Sequence, residues 1–147
     1  MAASRPLSEE VLEAAREHVL GELRMFRVAT RRRLDLGRST DDPTDGTILM
    51  DSALLHARSL YEFLTSPQKR DRVVARDYVP HWNWKPSSHL KTCVQNIQHF
   101  RSHITVERVQ RNWRWSDRLP ALRDEIEDGF NEFVDSLPVE RRGDWRA

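Results

Sequence analysis

SHLKTCVQNIQHFRSHITVER, residues 88 to 108, sets the period against which the rest of the chain is read. Leu90, Cys93, Ile97, Phe100 and Ile104 recur at intervals of 3, 4, 3 and 4, which is the spacing of one helix face. Ser87 or Ser88, just after Pro86, is the natural N-cap, because a serine hydroxyl accepts from first-turn N–H groups that have no helical partner. On the flank of that seam Asn96, His99 and His103 stand at i, i+3 and i+7. Three groups able to exchange protons or hydrogen bonds therefore stack along one edge, the candidate functional surface.

The remaining composition fits a helical protein. A chain of 147 residues with 38% apolar content, five Trp and five Phe is long enough for one domain around one core. Five Gly and few alternating apolar runs oppose an all-β design, so the expected fold class is all-α. No apolar run approaches the roughly 18 residues that cross a bilayer. MAASRPLSEE lacks the apolar segment of a signal peptide, so a cytoplasmic protein without membrane contact is expected. Cys93 is the only cysteine, which excludes an intrachain disulfide, and its place on the seam predicts a buried, inert thiol.

Charge is nearly balanced overall, at +1, but unevenly spread. Pro67 to Arg118 holds eleven Lys and Arg against four acids, and Leu119 to Glu140 holds one Arg against seven acids. A basic stretch interleaved with Trp82, Trp84, Trp113 and Trp115 suits nucleic acid, since arginine neutralises phosphate and aromatic faces stack on unpaired bases. It equally suits packing of the basic middle beside the acidic last helix, within one chain or across a dimer.

In chain order, Ser8 caps a first helix from Glu9 to about Leu36, Leu7 staples to Leu12, and Gly37 ends it. Its seam is Leu12, Ala15, Val19, Leu23 and Phe26. Arg31, Arg32 and Arg33 complement the negative helix end or form an RNA-contacting patch. RSTDDPTDG, 38 to 46, reads as an exposed loop. The second helix, about Ile48 to Leu64, has the seam Leu49, Ala53, His56, Leu60 and Phe63. Its opposite face holds Leu54, Leu55 and Tyr61, so it is central in a bundle or buried in an oligomer. Arg58 lies among those back-face residues, where its charge calls for a carboxylate or a second chain.

Ser66 and Pro67 stop that helix. A short helix over Arg70 to Arg76 and an extended Trp82–Trp84 connection are expected before the helix of residues 88 to 108. The last helix has Pro120 in or near its first turn, buries Leu122, Ile126, Phe130, Phe133 and Leu137, and ends at Pro138. The expected architecture is an antiparallel four-helix bundle with an aromatic-rich connection between its second and third helices. Its core spans about residues 8 to 138 and a polar tail occupies 139 to 147.

Three blocks resemble a known family. LLHARSLYEFL (54 to 64), DRVVARDYVPHW (71 to 82) and IQHFRSHIT (97 to 105, with Arg108 following) are similar, in order and spacing, to successive blocks of bacterial HEPN-like helical proteins related to abortive-infection factors. The resemblance implies an RNA-related role, as dimeric ribonucleases or their non-catalytic relatives, and covers about a third of the chain. The family's catalytic signature is Arg followed after four to six residues by His on one helix, and this chain departs from it. Arg101 is two residues before His103, Arg76 and His81 fall in the proline-aromatic connection, and Asn96 precedes His103 by seven.

Metal-free RNA cleavage needs a base for the ribose hydroxyl and a cation for the phosphate. His103 could supply the first and Arg58 or Arg108 the second. Arg101, Arg108, Asn96 and His99 are then the expected RNA contacts, and a homodimer through the second helix is the expected assembly. A non-catalytic protein interaction or dimerisation module stands beside that reading, with His56 and His103 structural. No cofactor or metal is expected: His99 and His103 stand at i, i+4, but no HExxH motif or nearby carboxylate completes a site.

Overall fold

The computed structural model describes residues 6–37, 43–69, 71–102 and 115–146, and it is all-α. Among the described residues there is no strand; Lys69 and Arg72 make an isolated antiparallel bridge.

Helix α1 is Glu9–Leu36, and local chemistry sets both of its ends. The Ser8 hydroxyl accepts the Val11 N–H at 3.3 Å. Gly37 closes the other end at φ +61°, a left-handed backbone that glycine adopts without steric cost, and its N–H reaches the Leu34 carbonyl. The helix buries Leu12, Leu20, Leu23, Phe26 and Ala29, while Ala15 and Val19 of the expected seam are half-buried.

Helix α2, Pro43–Thr65, starts five residues before the expected Ile48. Residues 43–46 are therefore helix rather than loop, and residues 38–42 lie outside the described residues. Turn formers also make good helix starts: proline has no N–H to leave unpaired in a first turn, and Asp45 faces the positive helix end. Glu22 meets His56, and Gly46 lies against Arg33, so α1 and α2 run antiparallel. α2 is the central element, packing on α1 and on every described element between it and residue 136. Met50, Ala53, Leu54, Ala57, Leu60, Phe63 and Leu64 are buried, yet Ile48 and Leu55 are 59% and 60% exposed.

Helix α3 is Ala75–Tyr78, not Arg70 to Arg76; Arg70 itself lies outside the described residues. The Asp77 carboxylate accepts the Val74 N–H at 2.8 Å, which fixes the first turn at Ala75. The connection that follows packs over the helices as expected. Trp82 is buried and donates its indole N–H to the Leu64 carbonyl at 2.7 Å. Trp84 lies so close over Gly129 that a Cβ there would stand 2.6 Å from its ring, which only glycine permits.

Helix α4 is Ser88–Asn96, with the Ser87 hydroxyl accepting the Leu90 N–H. It then passes into a π-helical segment, Ile97–Ser102, where an unbroken α-helix to residue 108 was expected. Residues 103–114 lie outside the described residues.

Helix α5, Trp115–Ser136, begins a turn earlier than expected, so Pro120 is its sixth residue. Burial of Trp115 and Leu119 explains the added turn, and the full set Leu122, Ile126, Phe130, Phe133 and Leu137 is buried. The expected polar tail is instead helix α6, Val139–Trp145. Trp145 is 3% exposed and meets the rings of Phe133 at 5.0 Å and Tyr78 at 4.8 Å edge to face. Ion pairs Arg16–Asp144 and Arg141–Glu9 hold α6 against α1.

Candidate functional site

The expected site draws on two neighbouring elements. Arg58 belongs to α2, Asn96 ends α4, and His99 lies on the π segment, which packs against α2. His103 and Arg108 lie outside the described residues, as does the side chain of Arg101.

The Arg58 guanidinium has the carboxylate its position calls for. Its Nε donates to Glu62 Oε1 at 3.2 Å, one turn along the same helix. Glu62 Oε2 lies 3.9 Å from Arg72 Nη1, so one carboxylate sits between two arginines. Arg58 thus lies on the helix that packs against the π segment, with its guanidinium directed at Glu62. A phosphate would have to displace that pair, which at part exposure is worth less than about 1 kcal/mol.

The π segment changes the geometry of the polar edge. Bonding from i to i+5 places more residues in each turn than the α-helix holds, so residues spaced for a 3.6 period fall out of phase. Asn96, half-buried, and His99, exposed, are consecutive in the intended row but straddle this change. Leu90, Cys93 and Ile97 stay buried as the inner seam.

The described tryptophans of the basic stretch are packing groups: Trp82 and Trp115 are buried and Trp84 covers Gly129. Trp113 lies outside the described residues. The Cys93 sulfur is buried 3.7 Å from His89 Nε2, and burial pushes its thiol up from the ordinary range, against formation of a thiolate nucleophile. His56 Nδ1 meets Glu22 Oε2 at 2.5 Å, which ties α2 to α1 and gives this histidine a structural partner. The acidic last helix meets the middle of the chain by capping: Glu125 accepts the Ser87 N–H at 2.6 Å and its hydroxyl at 2.8 Å.

Sequence reasoning missed the groups around α6. Tyr78 donates to the Leu12 carbonyl at 2.6 Å, and burial pushes its phenol well up. Arg27 clamps Glu127 through Nε at 2.7 Å and Nη2 at 2.9 Å, which raises the guanidinium further. The signal for this cluster was a lone tryptophan in a charged context, which has no period to read. Among the described residues no three His, Cys, Asp or Glu side chains converge as a metal site, and no helix is long and apolar enough to cross a membrane. No family model, curated protein or solved structure matches the chain.

Proposed function

We propose that the chain is a non-catalytic interaction module, an antiparallel bundle of α1, α2, α4 and α5, which pairs as a two-fold homodimer through the outer face of α1 and α2. The observation that carries this reading is the exposure of Ile48 and Leu55, at 59% and 60%, one heptad apart on α2. Ser52 and Ser59 fall on the same face, so a partner helix can approach closely between the two large side chains. The Glu22–His56 contact sets the register with α1. It brings Met25, 48% exposed, level with the turn of α2 that holds Leu55. Contiguous exposed apolar side chains mark association surfaces, and a two-fold axis covers the same patch on both copies. Light scattering at tens of micromolar tests it: twice the chain mass is expected, and a sharp monomer refutes the pairing.

A second reading has an observation of its own. Arg24, Arg31 and Arg32 are exposed on α1 and form no ion pair with a described residue, which leaves three cations for a polyanion. This favours RNA binding in an HEPN-like domain related to abortive-infection factors, with His103 as base, Arg58 or Arg108 at the phosphate, and Arg101, Asn96 and His99 as contacts. A gel shift with mixed cellular RNA, followed for cleavage, separates the two readings. Retardation that weakens steeply with salt supports the second.

A further inference from the structure

A cleft of about 380 Å³ opens where α1, α5 and α6 meet, a volume within the range of small-molecule sites. Its floor is apolar: Phe130, Val134 and Trp145 line it, all nearly buried. Arg27, Asn131, Asp135 and Arg146 form its rim.

The rim arginines keep donors to spare above a floor that includes Trp145, 3% exposed. Arg27 commits Nε and Nη2 to Glu127, which holds the guanidinium plane still and leaves Nη1 unengaged. Arg146 only approaches Asp135, at 3.6 Å, with both side chains mostly exposed, so it can turn toward the cleft at little cost.

We propose that this cleft binds a small aromatic carboxylate, its ring on Phe130, Val134 and Trp145 and its carboxylate between Arg27 and Arg146. Glu127 and Asp135 already balance Arg27 and Arg146, so the site offers an anion spare guanidinium donors rather than excess positive charge, which disfavours a dianion more than a monoanion. The fork of a guanidinium fits the two oxygens of a carboxylate. The site is distinct from the proposed dimer face: Arg27 and Met25 are two residues apart, about 200° round α1. Either assignment can fail without the other.

Calorimetric titration of the full chain with 2-naphthoate, and with 2-naphthamide as its uncharged match, tests the assignment. One 2-naphthoate per chain is expected, with the amide binding about tenfold more weakly for loss of the charge-assisted bonds. Arg146→Gln, on an exposed side chain, should keep the parent's melting midpoint and weaken 2-naphthoate about fivefold or more. Nitrogen–proton spectra should show the Trp145 indole resonance, assigned by Trp145→Phe, moving during the titration. Equal affinity for acid and amide, no saturable binding into the millimolar range, an unmoved Trp145 resonance, or an Arg146→Gln variant that binds like the parent each overturns it.

Discussion

Leu54 and Leu55 are adjacent residues of one type on α2, and the fold treats them oppositely, at 1% and 60% exposure. The inner arc of that helix is closed by α1, α4 and α5, while the outer arc, with Ile48 and Leu55, has no described element over it. Trp145 is the converse case: it stands in the charged run ERRGDWRA yet is 3% exposed. Residue type therefore does not decide burial here. What lies opposite decides it, and that is a tertiary fact.

The largest effect should come from the residue whose context looks most polar. Trp145→Ala removes a ring in contact with Phe63, Tyr78, Phe130 and Phe133, and large-to-small aromatic changes in a core cost about 3–5 kcal/mol. Urea unfolding should show the midpoint falling with the slope retained. A loss under about 1 kcal/mol would return α6 to the status of a tail. Next comes Leu54→Ala, with an expected cost of about 2–5 kcal/mol. Leu55→Ala, the same chemistry one residue on, should stay within about 0.5 kcal/mol per chain when measured on monomer. Equal costs at the two positions would erase the contrast.

These cases also show what the sequence could disclose. The ends of α1 were legible because Ser8, Gly37 and the first-turn acids act within a few residues of themselves. The inner seam of α5 was legible because one strongly amphipathic face repeats at 3.6. The start of α2 was missed because Pro43, Asp45 and Gly46 serve a turn and a helix N-terminus alike. The π segment was missed because its bonding pattern leaves no residue signature. Of the candidate site, Arg58's need for a carboxylate was readable from its position among apolar neighbours. That Glu62, one turn on, would answer it required the side-chain geometry.

A smaller effect, and one that depends on pH, is expected at Tyr78. Its phenol is pushed up from the ordinary value, mainly by burial and next by Asp77. The folded chain therefore keeps a proton that the unfolded chain releases. With more protons bound in the native state, stability falls as pH rises from about 10, where tyrosine titrates when unfolded. Below that pH the contribution is complete. Tyr78→Phe should cost about 1 kcal/mol at neutral pH through loss of the bond to Leu12, and it should flatten the alkaline decline. An unchanged alkaline slope would place the titrating group elsewhere, with Tyr61, also raised by burial, the next to substitute.

The smallest effect on melting should be the most informative. Leu55→Glu puts a charge where the parent side chain is 60% exposed, so the isolated fold loses almost no buried apolar area and its stability should move by about 0.5 kcal/mol or less. If two copies meet on this face, the same change buries two carboxylates beside each other near the two-fold axis. A buried unpaired charge costs several kcal/mol, enough to move a micromolar pairing out of reach at working concentrations. Mass by light scattering should then fall from dimer to monomer while the circular dichroism and the dilute-solution melting midpoint hold. Ser59→Glu should do the same if the patch extends along the helix, since it occupies the same face one turn on. A variant that remains dimeric with the parent's affinity would show that the outer arc of α2 is ordinary solvated surface, and the pairing face would have to be sought on another side of the molecule.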